Sequence, residues 1–334
     1  MNPKDDNFIL STGKNQSKTE IYHYTGADGL LGIIKEGQLR ATHSGFLNDK
    51  EERIGFFDRR LPFLLRPTIE QAIAELTRRG QISPLTNDDH DALDKTIRQL
   101  TSSFRDVSLK SLEMYVVSLC TPSANDHDHG LLSQWRGYGK GGGYAIVFDA
   151  NSFSAGLEFE ATNHAYQALG YGHVEYFAPD GSGQSTHKKI LSYESVIQKK
   201  VLESLLSDDQ NSIVDEDMHF TMQILSCLQK HRGFQEEAEV RFYAAPASDE
   251  TYQAYLEYGP ERPLKQVHFR TKDGLLVPYI NLRITMEDSK VNPIKRVIVG
   301  PHPDSERRRK SVEMLLSKYK INAEVVCSTI PLVD

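Results

Sequence analysis

The sequence predicts an α+β fold, on three observations. Short apolar runs suited to strands gather in the early and late parts of the chain. Stretches with apolar residues at helical spacing lie between them. The composition, 39% hydrophobic and 25% charged over 334 residues, is that of an ordinary globular chain long enough to bury a real core.

The elements follow in order. Residues 1–19 have no apolar h-region and no small-residue cleavage site, so they read as a mobile tail and not as a signal peptide. I-Y-H-Y-T, residues 21–25, alternates as a strand does. The helix after it presents Leu30, Leu31, Ile33 and Ile34 on one face, and Gly37 ends it. His23 shares its strand face with Ile21 and Thr25. A lone histidine there is either a hydrogen-bonded core residue or a catalytic one. Asn48 or Asp49 can cap a helix that Glu51 and Glu52 begin; only one cap is needed, which leaves Asn48 open to another role.

From Phe56 to about Arg105 the pattern is helical, broken by Pro62, Pro67 and Pro84. Met114–Cys120 is a strand, followed by the polar loop Asn125–His129. Leu131 to Asp149 reads as a flexible polar loop feeding a buried strand, Tyr144–Phe148. The loop holds the single tryptophan, Trp135, beside Arg136, then five of the 23 glycines within seven residues. Gly137, Gly139 and Gly142 fit G-x-G-x-x-G. A strand follows them where a dinucleotide site needs a helix, so that phosphate geometry fails. Gly139-Lys140 also lacks the Ser or Thr of a P-loop. The glycines form either a bulged turn or a place of close ligand approach.

Residues 161–177 are expected to be hairpin-like, with helices from about Lys188 to Leu206 and Asp215 to Lys230. If Gly233–Tyr243 is extended, Glu237, Glu239 and Arg241 share one face, and Ala238, Val240 and Phe242 the other. Two aligned carboxylates repel, and Arg241 can offset that. The pattern is a functional acidic pair or an ordinary ion pair on a solvent-facing strand. The remainder is β-rich apart from a helix over about Ser305 to Tyr319. Its basic run Arg307–Lys310 is a solvated face or a phosphate contact.

Several function classes are excluded or narrowed. Cys120, Cys227 and Cys327 are too scattered for a disulfide framework or a zinc site, which fits a reducing cytoplasm. A net charge of -7 gives no global attraction to nucleic acid, so such a partner would need a local basic patch. No apolar run approaches the roughly 20 residues that span a bilayer, so no membrane partner is expected. Asp126-His127-Asp128-His129 is the best metal candidate in donor type, without the spacing of a known metal motif.

Three pieces line up along the chain: Y-H-Y-T with a short helix and L-N-D-x-x-E; S-L-C with L-S-Q-W-R-G-Y-G and G-x-A-I-x-F-D; and F-x-x-E-x-E-x-R. From residue 21 to the C-terminus this trio resembles a large bacterial family catalogued as a domain of unknown function, itself similar to a distant branch of the ADP-ribosyltransferase superfamily. The resemblance implies split, strongly bent β-sheets around a cleft that binds NAD, with NAD consumed as a substrate and no metal needed. It implies one domain over residues 20–334, with helical insertions at about 56–110 and 187–231. His23 and Thr25 would contact NAD, Asn48 would sit beside the pocket, and Trp135, Arg136 and Tyr138 would line it. Arg136 would hold the pyrophosphate through its planar fork. Glu239 would be the catalytic acid, with Glu237 aiding the nucleophile. Lys50 and Val240 stand where the family commonly has proline and tryptophan.

The expected function is then NAD-dependent ADP-ribosyl transfer by a bacterial toxin or antiviral-defence effector of the cytoplasm. The acceptor would be a polymer, nucleic acid ahead of protein, and an antitoxin would neutralise the enzyme. A metal-dependent nuclease or hydrolase using Asp126, His127, Asp128 or the two glutamates is one alternative; a non-catalytic binding module is the other.

Overall fold

A computed structural model describes residues 20–47, 51–86, 89–123, 126–138, 142–207, 216–284 and 292–331. The early elements are β1 (Glu20–Thr25), α1 (Ala27–Glu36), β2 (Gln38–His43), α2 (Glu51–Gly55), a π-helical turn (Phe56–Arg60), α3 (Leu61–Arg78), α4 (His90–Ser111) and β3 (Tyr115–Cys120). Then come α5 (Leu132–Tyr138), β4 (Tyr144–Asp149), α6 (Ala150–Asn163), β5 (Tyr166–His173), β6 (Glu175–Phe177), α7 (Lys188–Leu206), α8 (Glu216–Cys227) and β7 (Gln229–His231). A 3-10 helix (Arg232–Glu237) leads into β8 (Glu239–Pro246), α9 (Tyr252–Tyr258), β9 (His268–Lys272), β10 (Leu275–Arg283), β11 (Ile294–Val299), α10 (Ser305–Lys318) and β12 (Glu324–Cys327).

Ten strands form one mixed sheet in the order β12-β11-β4-β1-β3-β2-β10-β9, and β8 joins β5 to β3 off that path. β3 is therefore a fork. Along one edge β8 pairs with it antiparallel from Tyr115↔Ala244 to Cys120↔Glu239. The other edge is shared between β2 and β1, and β1 meets β3 through the single register pair Tyr22↔Cys120. By contrast β1 and β4 pair along their whole length, from Glu20↔Asp149 to Thr25↔Tyr144.

Strand alternation sorts the core onto two faces. Ile21, Ile146, Phe148, Val240 and Phe242 pack with Leu30, Ile33 and Ile34 of α1, Phe153 and Leu157 of α6 and Leu316 of α10. The opposite face carries Tyr22, Tyr24, Cys120, Ala145, Val147 and Ile298 against Trp135 of α5. At ten residues α1 is too short to persist alone in water. Burial of its three apolar side chains, at about 1.5–3 kcal/mol each, holds it on the sheet. Gly37 at φ 63 turns the chain out of it.

The described residues fall into two compact units. One draws on the described residues within Met1–Thr42, Tyr115–Tyr171 and Glu236–Asp334, the other on those within His43–Met114 and Gly172–Gln235. The second takes in both helical insertions. In it α3 packs on α7, α8 packs on α4 and α7, and β6 pairs parallel with β7. Pro67 lies inside α3 without ending it, and Gln198 of α7 donates to the Leu64 carbonyl at 2.9 Å. The expected break at Pro67 is thus overridden by packing.

Three expectations need correction. The hairpin over 161–177 is instead the end of α6 followed by β5 and β6, which pair with β8 and β7 and not with each other. The missed signal is Asp149, whose carboxylate accepts from Ser152 N at 2.9 Å and starts α6. Glu237, expected on a strand with Glu239, lies in the 3-10 helix, because Ala238 adopts φ 44 and breaks the extended run. The loop over Leu131–Tyr138 is helix α5 from Leu132. Leu131 and Trp135, four apart, both turn into the tyrosine face of the core, a helical spacing that the neighbouring glycines obscured.

Trp135 is 5% exposed and meets Tyr24 edge-on, with ring centroids 4.7 Å apart. Gly130 and Gly300 make room for it. A Cβ on Gly130 would lie 2.8 Å from both Trp135 Cζ2 and Tyr24 Oη, and Gly130 also has φ 76. Gly130→Ala thus combines backbone strain with overpacking, and an equilibrium urea titration should show about 2 kcal/mol or more of destabilisation. A variant as stable as the parent would mean that Trp135 is not packed this way.

Candidate functional site

The site builds outward from the point where β1 leaves β3. Beyond Tyr22↔Cys120 the two strands share no further register pair. A strand-edge carbonyl still needs a donor. The Ser118 carbonyl finds one in His23, whose Nδ1 lies 3.1 Å away. A carbonyl only accepts, so Nδ1 carries the hydrogen and Nε2 is left as an acceptor. Burial pushes the His23 pKa below its usual value, against a smaller opposing effect of the Ser118 bond, and the ring is neutral at neutral pH.

Glu239 opens β8 opposite Cys120. Its Oε1 accepts from Arg241 Nε at 2.6 Å and its Oε2 from Arg241 Nη2 at 3.0 Å. The expected pairing of Arg241 with the acidic strand is present, but the two side chains are only 4% and 2% exposed, so this strand does not face solvent. Between the glutamates Ala238 sits in the left-handed region, which costs an L-residue about 1–2 kcal/mol. Thr121 holds the kink by donating N–H and Oγ1 to the Ala238 carbonyl at 3.0 and 3.3 Å. Burial first, then Glu239 and Glu237, push the Cys120 thiol pKa far up. Both carboxylates therefore act on the end of β3, and Cys120 stays a thiol with no nucleophilic role.

The end of β3 thus carries a neutral imidazole with a defined acceptor nitrogen on the Ile21 side of the sheet, a buried carboxylate oriented by arginine on the Tyr22 and Cys120 side, and a second carboxylate on the strained turn. Such a set can accept hydrogen bonds from hydroxyl groups and stabilise positive charge.

The other expected site residues are more dispersed. Thr25 Oγ1 lies where a Cβ on Gly29 would sit, so its hydroxyl packs over the first turn of α1. Trp135 is part of the core and donates Nε1–H to the His129 carbonyl at 2.9 Å. Arg136 and Tyr138 are exposed on α5. Asn48 lies outside the described residues, as does Lys50.

The aspartate–histidine loop is organised around a residue that the sequence did not single out. Buried Arg296 donates Nη1–H to Asp128 Oδ1 at 3.0 Å, and Nη2–H to Glu20 Oε2 at 3.2 Å, to Tyr22 Oη at 3.0 Å and to the His127 carbonyl at 3.0 Å. His127 bridges Glu20 and Asp128 at 2.8 and 2.9 Å. A charged side chain inside the strand Ile294–Val299 was the available signal: a buried arginine requires carboxylates. Among the described residues no three His, Cys, Asp or Glu side chains are grouped to hold a metal. The basic run is also engaged. Arg308 donates to the Gly142 carbonyl, and Arg309 and Lys310 pair with Glu313 at 3.0 and 3.7 Å.

The family described as "Protein of unknown function (DUF2971)" matches residues 134–242. That span runs from α5 into β8 and takes in Trp135, Arg136, Tyr138, Glu237, Glu239 and Arg241, but neither His23 nor Ser118. No curated protein and no solved structure matches the chain.

The His23 environment has a pH consequence. Its folded pKa lies below the unfolded value of about 6.5, so the unfolded chain takes up the proton first as pH falls. The stability it contributes is full above about pH 6.5 and declines below it. His43, His164 and His173 are shifted the same way, so the effect is shared. In urea titrations from about pH 7.5 to 5.5, His23→Gln should lose stability less steeply than the parent; identical slopes would show that His23 is not buried neutral.

Proposed function

We propose that this chain is an NAD-consuming ADP-ribosyltransferase with its reacting centre at the β1–β3–β8 junction. One observation supports the reading above all. A first-strand histidine and a late-strand glutamate, some two hundred residues apart in sequence, both reach the end of one strand, at Ser118 and Cys120, from its two faces. The sheet is a single ten-strand one, and the NAD cleft of this reading is placed where β1 parts from β3 after one pair.

The chemistry follows from these groups. His23 Nε2 accepts a hydrogen bond from a ribose hydroxyl on the adenosine side. The bond between C1′ of the nicotinamide ribose and the nicotinamide nitrogen breaks, its electron pair leaves with nicotinamide, and positive charge builds on the ribose. Glu239 accepts a hydrogen bond from a hydroxyl of that ribose and stabilises the charge where it forms. Arg241 is a positioning residue that fixes the carboxylate plane. The acceptor attacks C1′ as Glu237 takes its proton. Arg136 and Tyr138, exposed on α5, meet the pyrophosphate and an aromatic ring of NAD. The acceptor is a polymer. Within the basic run on α10, Arg309 and Lys310 pair with Glu313.

A second reading has an observation of its own. Glu239 is 4% exposed and doubly hydrogen-bonded by Arg241, as a purely structural ion pair would be. That favours a non-catalytic binding module. Incubating the protein with NAD labelled in its adenylate and a cell extract separates the two. Nicotinamide release and label made soluble by ribonuclease or by protease are expected for the transferase. Glu239→Asp, which can keep Arg241 paired while withdrawing the carboxylate by one methylene, should fold and lose about a hundredfold or more in nicotinamide release. Absence of release by the parent, or full activity in the variant, overturns the transferase.

A further inference from the structure

Strands β2, β10 and β9 form one margin of the sheet, which ends in β9. On one side of β10 the register is Tyr279↔Thr42 and Asn281↔Arg40; on the other it is Tyr279↔His268 and Val277↔Arg270. Alternation therefore puts Arg40, Thr42, Tyr279, His268 and Arg270 on one face. Leu39, Ala41, Ile280 and Leu282 on the opposite face belong to the core. Residues 38–42 and 268–283 contain one acid, Asp273, at the turn between β9 and β10. The chain as a whole carries a net charge of -7, so this margin differs in sign from the rest.

Contacts within the face define its chemistry. Arg40 lies over the Tyr279 ring with Cζ 5.3 Å from the centroid, and the His268 ring lies 5.5 Å from Tyr279 with 33° between the planes. A guanidinium, a phenol and an imidazole, one from each strand, thus adjoin across the face. Arg270 reaches across β10 and donates Nη2–H to Thr42 Oγ1 at 3.1 Å. Two guanidiniums are then near one another: burial first, and the Arg40 charge next, hold the Arg270 pKa below its usual value. Neither Arg40 nor Arg270 pairs with a carboxylate among the described residues. Like charges placed together repel, and an anion beside them offsets that repulsion. Guanidinium forks match phosphate oxygens in particular.

We infer that this face binds single-stranded nucleic acid, its phosphates on Arg40 and Arg270 and its bases against Tyr279 and His268. Flat side chains accept unpaired bases of any sequence, because every base has a π-face. An acidic peptide would meet the arginines and leave the rings unused. A duplex keeps its base faces stacked inside, and a mononucleotide would engage only part of the run. β2 lies next to β3 in the sheet, so under the transferase reading the bound strand is the acceptor. The binding itself needs neither NAD nor the β1–β3–β8 junction.

Fluorescence anisotropy on the full chain, without NAD, tests this with four probes: a single-stranded RNA of about ten nucleotides, DNA of the same sequence, the corresponding DNA duplex, and poly-glutamate of similar length. A single strand should bind at least about tenfold more tightly than the duplex or poly-glutamate. RNA ahead of DNA assigns a contact to the 2′-hydroxyl, and the reverse order makes DNA the ligand. Arg40→Gln, at an exposed position, should weaken binding of every sequence and reduce the slope of log K against log salt by about 0.7. His268→Ala should weaken binding by about tenfold with the salt slope unchanged, a separation that general loss of structure would not produce. Lys318→Gln on α10 should bind like the parent, and circular dichroism confirms that each variant folds. Single strands that fail to bind, duplex or poly-glutamate that binds as well as they do, or Arg40→Gln and His268→Ala that bind like the parent would overturn the inference. A parent chain that releases nicotinamide but binds no single strand would overturn it while leaving the transferase standing.

Discussion

The demand that the Ser118 carbonyl find a donor organises the centre of this molecule. A strand flanked on both sides satisfies its carbonyls through its neighbours. β3 has β8 along one whole edge, but β1 stays with it for a single pair. An imidazole takes over where backbone pairing stops. The consequence is a histidine whose tautomer and ring position follow from backbone bookkeeping, with its second nitrogen left to other uses. The same parting of strands narrows the link between β1 and β3 within the one sheet without leaving the Ser118 carbonyl unsatisfied.

Charge burial follows a comparable rule. Arg60, Arg241 and Arg296 are the buried arginines among the described residues, and each meets carboxylate: Glu194, Glu239, and Glu20 with Asp128. Such pairs contribute little net stability, because desolvating two ions offsets most of their attraction, but losing one partner leaves a charge stranded. Their effect is therefore to fix geometry. Arg296 ties the loop after β3 to β1, and Arg60 ties the π-helical turn to α7 and to the loop after β6.

Periodicity and composition carry the strands and long helices well. β1, β4, α7 and α10 lie within a residue or two of where alternation and helical spacing put them. What composition hid is local. The glycines after Trp135 drew attention from the i, i+4 pair Leu131 and Trp135, and so from α5. Ala238 gave no hint of a left-handed backbone, since that conformation is imposed by Thr121 across the sheet. The site was visible in part. Glu237, Glu239 and Arg241 could be named from spacing, but His23 gains meaning only from Ser118, a partner 95 residues away. Trp135 was the most conspicuous residue in the chain and is buried, because a large aromatic stands out in sequence whether it packs or binds. A cavity framed by Arg60 had no sequence signature at all, its walls coming from three segments separated in the chain, near Arg60, Phe177 and Lys230.

The Glu239–Arg241 pair bears in two directions on whether the β3 junction can perform chemistry. Burial and two hydrogen bonds are what a scaffold pair needs. A carboxylate, however, offers about four acceptor positions, and Arg241 occupies two. Arg241 holds the carboxylate in a fixed plane, in surroundings where water competes poorly. A hydrogen bond accepted there costs no reorganisation when it forms, and charge developing nearby is screened less than it would be in solvent. Glu237, beside the strained Ala238, adds a second acid near the end of β3, an arrangement that like-charge repulsion opposes. Arg241 accounts for one buried carboxylate. Glu239, buried, and Glu237, half-exposed, both raise the Cys120 thiol pKa, and under the proposed reaction they are the groups that would stabilise positive charge developing on a ribose.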